Sequence, residues 1–329
     1  MAISTKKLMT GIQDELEGQV VGYALAIYQN GALKRSHGSG WAVIDSRKFD
    51  SHVRACMGSM GKTISAAAIV RALQRSNRSV DEPIHKVLDW SFSASSKKLT
   101  YRMVLTHTTG ISPGQGTTTA DLKKLIKGAI PAVPAPGAYS NANYDLTRYL
   151  LPELALPDLS VLDALPAGPQ HIALVKSSVL KPCGLDGVDV VYKGPEPRTR
   201  YYTDVTDRSK FHESHNLQLA NEFVGAGWWT TSVREYGRLI DRLRHQAALP
   251  GVWQTMSESA AATDPNVRLG MYRTTQHDGD AFNHNGGFDG HFSAWVAFPN
   301  GITAVAVANS NYTRGMQEVI LDAYENAKT

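Results

Sequence analysis

Cysteine is nearly absent, with only Cys56 and Cys183 in a chain of 329 residues. They lie far apart and lack the dense, even spacing of a disulfide scaffold, so both read as buried thiols. No run approaches the ~18–20 uninterrupted apolar residues that a membrane helix requires. The formal charge is only +4, from 34 basic and 30 acidic side chains. So small and dispersed an excess offers no phosphate-binding surface, which sets aside nucleic acid as a partner, and no membrane association is expected. Polar and acidic residues interrupt every apolar stretch between Met1 and Leu16, leaving no place for a secretory signal, so a cytoplasmic location is expected. At ~100–200 residues per domain the length allows one large domain or two interleaved ones, and 42% hydrophobic residues can fill a sizeable core.

The patterning changes along the chain. Residues 20–28 form an apolar, β-rich run followed by Gln29-Asn30-Gly31 and a second run, a strong hairpin signal. Between Gly58 and Gln74, Ile64, Ala67, Ala68, Ile69 and Leu73 recur at helical spacing, with Arg71 and Gln74 set apart, which predicts a largely buried helix. Residues 76–215 hold short helical patterns broken by Pro and Gly, including the Pro131–Gly137 loop, and little of the stretch alternates with period two. Near the end, the run from Ser293, the turn Asn300-Gly301 and the run Ile302–Ala308 read as another hairpin. A last helix follows from about Thr313, with Met316, Val319, Ile320 and Ala323 on one face. Strands at both ends with helices between them predict an α/β (α+β) architecture, with one antiparallel sheet built from both termini and flanked by helices. The expected division is a discontinuous sheet domain, residues 1–75 and 216–329, with a mainly helical domain, residues 76–215, inserted into it.

Ser59-Met60-Gly61-Lys62 is the most suggestive local feature, because residues three apart at a helix start lie on one face. Serine becomes a nucleophile only when something takes its proton. A lysine does this only if burial or a neighbouring cation lowers its pKa from ~10.4. The flanks, Cys56-Met57-Gly58 and Ile64-Ser-Ala-Ala-Ala-Ile-Val70, supply an apolar setting. The same spacing recurs at Ser4/Lys7, Ser95/Lys98 and Ser178/Lys181, in polar or terminal contexts that read as surface pairs. Spacing alone is therefore a weak filter. Three further segments add weight: Leu105-Thr-His-Thr-Thr-Gly-Ile111, Tyr139-Ser140-Asn141 and His284-Asn285-Gly286-Gly287. Glycine at 286 and 287 suits a place where backbone must come close to a substrate.

Taken in order, these segments together with Asp81-Glu-Pro-Ile84 and Gly227-Trp-Trp-Thr-Thr-Ser232 resemble the serine β-lactamase and penicillin-binding-protein superfamily. The similarity is to its branch of class C β-lactamases, esterases and D-amino-acid peptidases, and it covers nearly the whole chain. The resemblance implies a β-lactamase-like fold with the active site in the cleft between the two domains. It makes Ser59 the acylated nucleophile and Lys62 its general base or proton relay, with Tyr139 sharing the proton traffic. Asn141 is then expected to hydrogen-bond Lys62 and the substrate. The strand with His284, Asn285 and Gly286 lines the opposite wall, and the N–H groups of Gly287 and Ser59 form an oxyanion hole.

His284 departs from the lysine that β-lactamases and cell-wall transpeptidases usually carry there. A neutral imidazole binds a substrate carboxylate less well, so β-lactam hydrolysis and D-Ala-D-Ala carboxypeptidase activity are discounted in favour of an ester or small amide substrate. Arg314 is considered as a replacement cation for this wall, and activity is expected to follow the protonation of His284. His107 is read as structural, pinning its loop to the helix that bears Ser59. His212 and His215, with Glu213 between them, lack a third ligand at a recognisable spacing, so no metal is expected, and no cofactor either. Trp228 and Trp229 either wall an acyl pocket or divide between core and surface. The leading expectation is a serine hydrolase acting through an acyl-enzyme on Ser59. The alternatives are an acyltransferase or cyclase of small-metabolite biosynthesis using the same intermediate, or a catalytically silent binding member.

Overall fold

The structure, a computed structural model, describes residues 3–112, 118–130, 134–155, 165–191, 193–213, 221–245 and 248–328. The strands are β1 (Gly22–Gln29), β2 (Ala32–Val43), β3 (Arg47–Lys48), β4 (Ala55–Cys56), β5 (Arg200–Tyr202) and β6 (Phe211–Glu213). They continue with β7 (Thr230–Thr231), β8 (Val267–Arg268), β9 (Met271–Gln276), β10 (Gly279–Phe288), β11 (His291–Ala297) and β12 (Ile302–Ala308). The helices are α1 (Thr5–Leu16), α2 (Gly61–Arg75), α3 (Tyr101–Leu105), α4 (Thr119–Lys127) and α5 (Asn141–Asp145). After them come α6 (Thr147–Ala155), α7 (Ala167–Val175), α8 (Val233–Arg244), α9 (Val252–Glu258) and α10 (Met316–Asn326).

One eight-stranded antiparallel sheet runs in the order β3-β2-β1-β12-β11-β10-β9-β8. The two ends of the chain meet at its centre, where Tyr23 pairs with Ala308 and Gln29 with Ile302. Both predicted hairpins are present. Asn30 and Gly31 take φ 51° and 86°, the left-handed pair that a tight turn between twisted strands requires.

Strict alternation decides which residues face which helices. Tyr23, Leu25 and Ile27 of β1 and Ile302, Ala304 and Ala306 of β12 pack beneath α1 and α10, against Leu8, Ile12, Val319 and Ile320. The intervening Ala24, Ala26, Tyr28, Val305 and Val307 face the opposite core, which contains α2 and α8. The amphipathic α8 opens with a capping box between Ser232 and Glu235 and buries Tyr236, Leu239, Ile240 and Leu243 on this side.

The predicted buried helix is α2, enclosed from Gly61 to Leu73 except at Arg71. Among the described residues of 76–191, the regular elements are helices and no strand is present. The short ribbon of β5 and β6 departs from that texture, because Tyr202 is recruited to the end of the large sheet, its N–H donating to the Asn309 carbonyl at 2.9 Å. Cys56 and Cys183 are buried free thiols. No helix among the described residues is long and apolar enough to cross a membrane.

Candidate active site

Ser59 sits in a single 3-10 turn, Gly58–Met60, between β4 and the first residue of α2. The turn is wedged among backbones. Gly58 has φ 51°, and a Cβ on Gly286 of β10 would lie 2.2 Å from the Met57 carbonyl oxygen. On the other side, a Cβ on Gly61 would come within 2.7 Å of Gly227 Cα. Glycine at these positions lets three chain segments converge on one hydroxyl, which stays half-buried and open to the cleft.

Lys62, the second residue of α2, is 0% exposed. Its Nζ lies 2.8 Å from Asn141 Oδ1, 2.7 Å from the Ala226 carbonyl oxygen and 3.1 Å from Ser59 Oγ. Burial drives its pKa from 10.5 down to about 7, opposed by the negative charge of Asp145. A neutral amine has two N–H groups and one lone pair. Asn141 and Ala226 offer only acceptors in these contacts and take both N–H groups, so the lone pair is left for the Ser59 proton.

Asn141 begins α5, and Asp145 ends it one turn later. Asp145 is 0% exposed, and neither of its carboxylate oxygens finds a well-aligned donor among the described residues. The nearby Ala226 N–H is committed to the Phe223 carbonyl at 2.9 Å. Burial raises the Asp145 pKa to about 7, while Arg148 and Lys62 pull it back down.

Tyr139 leads into α5 with 40% of its surface exposed. Desolvation at its cleft end pushes the phenol above its ordinary value, and a hydrogen bond with Ser59 acts in the opposite direction. Its ring centroid is 4.9 Å from Lys62 Nζ. The segment around His107 holds this arrangement in place. His107, at φ 56°, receives the Ser140 N–H at Nδ1 (3.2 Å) and lies against the rings of Tyr139 and Tyr144 at 4.5 and 5.1 Å. Tyr144 Oη donates to the Leu105 carbonyl, and Thr109 Oγ1 to Asn143 Oδ1. His107 therefore pins the Tyr139–Asn141 segment; its described bonds and ring contacts do not reach the helix bearing Ser59.

The opposite wall is the end of β10, where Asn285 and Gly287 are exposed to the cleft and Gly286 is buried against the serine turn. Gly287 N lies 3.1 Å from where a Cβ of Gly58 would be, so its backbone borders the turn that carries Ser59. His284 is enclosed within this wall, 1% exposed, with Nδ1 2.5 Å from the Asn285 carbonyl and its ring 5.5 Å from that of Tyr272 and 6.5 Å from that of Tyr139. Burial and the neighbouring Lys62 lower its pKa to about 3, so it is neutral across the physiological range. An imidazole so enclosed beside a potential cation is held uncharged, which argues against the expectation that activity follows His284 protonation. Arg314 also turns away. It donates to Glu15 at 2.8 Å and pairs with Asp322, spanning α1 and α10.

Two chambers flank Ser59. The larger, about 670 Å³ and open to solvent, is bordered by Tyr139, Tyr272, Arg273, Asn283, Asn285 and Gln317. The smaller, about 190 Å³, is lined by Asn141, Phe223, Gly227, Trp228, Gly287 and Phe288. The two tryptophans separate as one of the sequence alternatives holds: Trp229 is wholly buried, and Trp228, at φ 69°, presents its ring to the smaller chamber, 5.8 Å from Phe288. His212 contacts the Asp289 carbonyl at 2.6 Å, while His215 lies outside the described residues. Among the described residues no cluster of His, Cys, Asp and Glu is arranged to hold a metal.

The model of the family described as Beta-lactamase matches residues 5–329. The chain belongs to the β-lactamase family. No curated protein matches its sequence. The structure is similar to that of a β-lactamase/D-alanine carboxypeptidase from Pseudomonas syringae, with a TM-score of 0.80 and 16% identity over 98% of this chain and 99% of that one. It is also similar to a D-stereospecific amidohydrolase from Streptomyces sp. (TM-score 0.74, 18% identity, 99% of this chain and 100% of that one). The D-amino acid amidase from Ochrobactrum anthropi SV3, complexed with L-phenylalanine amide, gives 0.74 and 17%, covering 98% of this chain and 99% of that one. At these identities the likeness establishes the fold.

Within this β-lactamase-family fold, three features escaped the sequence reading. Asp145 carries no motif of its own, and only its spacing of four from Asn141 hinted that both share a helix face. Arg273 enters the larger chamber from β9, held by Asn266 and Asp280. Phe223 and Phe288 reach the smaller chamber from segments far apart in sequence.

Proposed function

We propose that the protein is a serine hydrolase that cleaves a carboxylic ester or small amide through an acyl-enzyme on Ser59. The observation that carries this reading is the environment of Lys62: buried, with two acceptors occupying its N–H groups and its third contact, at 3.1 Å, being the Ser59 hydroxyl. With a pKa of about 7, an appreciable fraction of the amine is unprotonated at neutral pH.

In the forward half-reaction, Ser59 Oγ bonds to the substrate carbonyl carbon as its proton passes to Lys62 Nζ. The oxyanion that forms is met by the N–H groups of Ser59 and Gly287. The bond to the leaving oxygen or nitrogen then breaks. Tyr139 hands its phenolic proton to the departing atom and regains one from Lys62. Water repeats the sequence in reverse, giving up a proton through the same pair and releasing the acid with Ser59 restored.

The chambers suit an unequal substrate. An apolar or aromatic acyl group of modest size fits beside Trp228, Phe223 and Phe288. A more polar leaving group fits the open side near Asn283, Asn285 and Gln317. Neutral His284 adds no charge to that wall, and the chamber's Arg273 is paired with Asp280, which argues against a requirement for a carboxylate next to the scissile bond.

The experiment is intact-protein mass spectrometry after treatment with a fluorophosphonate, together with turnover of p-nitrophenyl esters of increasing acyl size. A single adduct mapping to Ser59 and lost in Ser59→Ala is the expected result. An adduct that persists in Ser59→Ala, or no adduct on the wild type, overturns the reading.

A further inference from the structure

The other end of α2 borders a cavity that the Ser59 chemistry does not use. It measures about 350 Å³, within the ~300–1,000 Å³ range of small-molecule pockets. Its floor is hydrocarbon, from Ala72 of α2, Leu151 and Leu154 of α6 and Leu174 of α7. Arg71 and Arg75 enter the same cavity from α2. They are four residues apart and so lie on one helix face. From Lys62 to Arg71 the helix rises roughly 14 Å, which separates this cavity from the nucleophile.

Arg71 lacks a partner where one is expected. Neither it nor Arg75 forms an ion pair with a carboxylate among the described residues, and Arg71 Nε is closed off from solvent with no hydrogen-bond acceptor. Arg75, in the last turn, complements the negative end of the helix. That explanation does not reach Arg71, whose side chain borders the cavity while its Nε is enclosed with nothing to receive it. A buried donor without an acceptor is a standing cost, and a guanidinium that turns toward an anion in the cavity is relieved of it. The serines of the lining do not fill that role, since none accepts from Arg71 Nε. Ser177 and Ser178 both donate to the Leu174 carbonyl, and Ser76 to that of Ala72.

We propose that this cavity is a second binding site, distinct from the Ser59 cleft, for an amphipathic anion. Its hydrocarbon body lies on Leu151, Leu154 and Leu174, and its carboxylate or phosphate monoester head pairs with the guanidinium groups of Arg71 and Arg75. A planar guanidinium matches either head in a two-pronged geometry, and two of them on one face hold it at the rim of an apolar floor. A ligand of this kind reads both halves of the site, whereas an alcohol of the same length reads only the floor.

The test is calorimetric titration of the full chain with decanoate, decyl phosphate and decanol. It is run on the wild type, on Ser59→Ala and on the double variant Arg71→Gln/Arg75→Gln. One or both anions are expected to bind one to one, with equal affinity in Ser59→Ala and at least tenfold more weakly in the double variant. Decanol is expected to bind at least tenfold more weakly than the better anion, and the tighter head group identifies the carboxylate or the phosphate as the natural chemistry. The double variant's unfolding midpoint and ester turnover, unchanged from wild type, show that any loss is local. Failure of both anions to bind overturns the proposal, as does equal binding by the double variant, equal binding of decanol, or loss of binding in Ser59→Ala. Should the double variant unfold, the single Arg71→Gln must still weaken the better anion for the proposal to stand.

Discussion

Replacing Lys62 by methionine removes a buried ionisable group while keeping an unbranched side chain one atom shorter, and the effect on stability depends on pH in a calculable way. In the unfolded chain the amine titrates at its ordinary 10.5, and in the folded chain burial brings it to about 7. Between these values the unfolded state holds a proton that the folded state lacks. Wild-type stability therefore rises with pH across this window, and the penalty fades as pH approaches 10.5. For one group with those two values the penalty is about 3.3 kcal/mol at pH 8 and about 0.8 kcal/mol at pH 10. The wild type should thus gain about 2.5 kcal/mol on Lys62→Met over that interval. Other groups titrate in both proteins and cancel, and Asp145, at about 7, has largely finished by pH 8. Lost hydrogen bonds to Asn141 and Ala226 offset the two curves without changing their difference in slope. Urea unfolding at half-unit steps of pH, analysed with a common m-value, measures the quantity directly. Curves that stay parallel within about 0.5 kcal/mol would refute the lowered pKa, and with it the idea that Lys62 is a ready base at neutral pH.

Four further outcomes follow from the same geometry. The rate constant kcat/KM for an activated ester should climb with pH through about 7 as Lys62 sheds its proton, and His284→Asn should leave that midpoint in place because His284, at about 3, is already neutral. Asp145→Asn removes the anion that raises the Lys62 pKa, so the same limb should move to lower pH; a shift to higher pH in the rate profile contradicts the sign. Gly286→Ala places a Cβ 2.2 Å from the Met57 carbonyl and should cost about 3 kcal/mol or prevent folding, whereas Gly287→Ala, whose nearest neighbour is 3.6 Å away, should stay within about 1 kcal/mol of wild type in the same thermal melt. Trp228→Ala opens the smaller chamber, and a series of p-nitrophenyl esters should show the preferred acyl group growing larger, while an unchanged chain-length profile would detach Trp228 from acyl selection.

The sheet was legible because its signals are local. Asn30-Gly31 and Asn300-Gly301 sit between apolar runs that can only alternate, and a strand whose alternate residues match two different cores has one register. The serine and lysine were legible for the same reason, since three residues at a helix start fix their relative placement. What pattern reading could not supply was long-range enclosure. His284 reads as an open cleft residue because its neighbours Asn285 and Gly287 are, yet it lies on the alternate face of β10, enclosed between the rings of Tyr139 and Tyr272. Arg314 reads as a free cation until Glu15, almost three hundred positions away in sequence, is found beside it. The ribbon of β5 and β6 was missed because its strands are only three residues each, too short for a period to register.

The composition of α2 connects fold to chemistry. A helix with an apolar stripe on one side leaves the opposite side in water, and a lysine there keeps its ordinary pKa. Here Gly61, Ser65, Ala66, Ala67 and Ala68 are small on every side, so neighbouring chains close in all round. A Cβ on Gly270 would stand 2.5 Å from the Ala66 methyl, and one on Gly61 within 2.7 Å of Gly227. That close approach is what removes water from Lys62, and desolvation is the largest cause of its lowered pKa. On the proposed reading, the alanine run thus acts on the reaction without touching substrate. Enlarging it, as in Ala66→Leu, would force the Gly270 segment outward and admit water. The expected signature is a kcat/KM midpoint that moves up from about 7 toward the ordinary lysine value while the Ser59 nucleophile itself is unaltered.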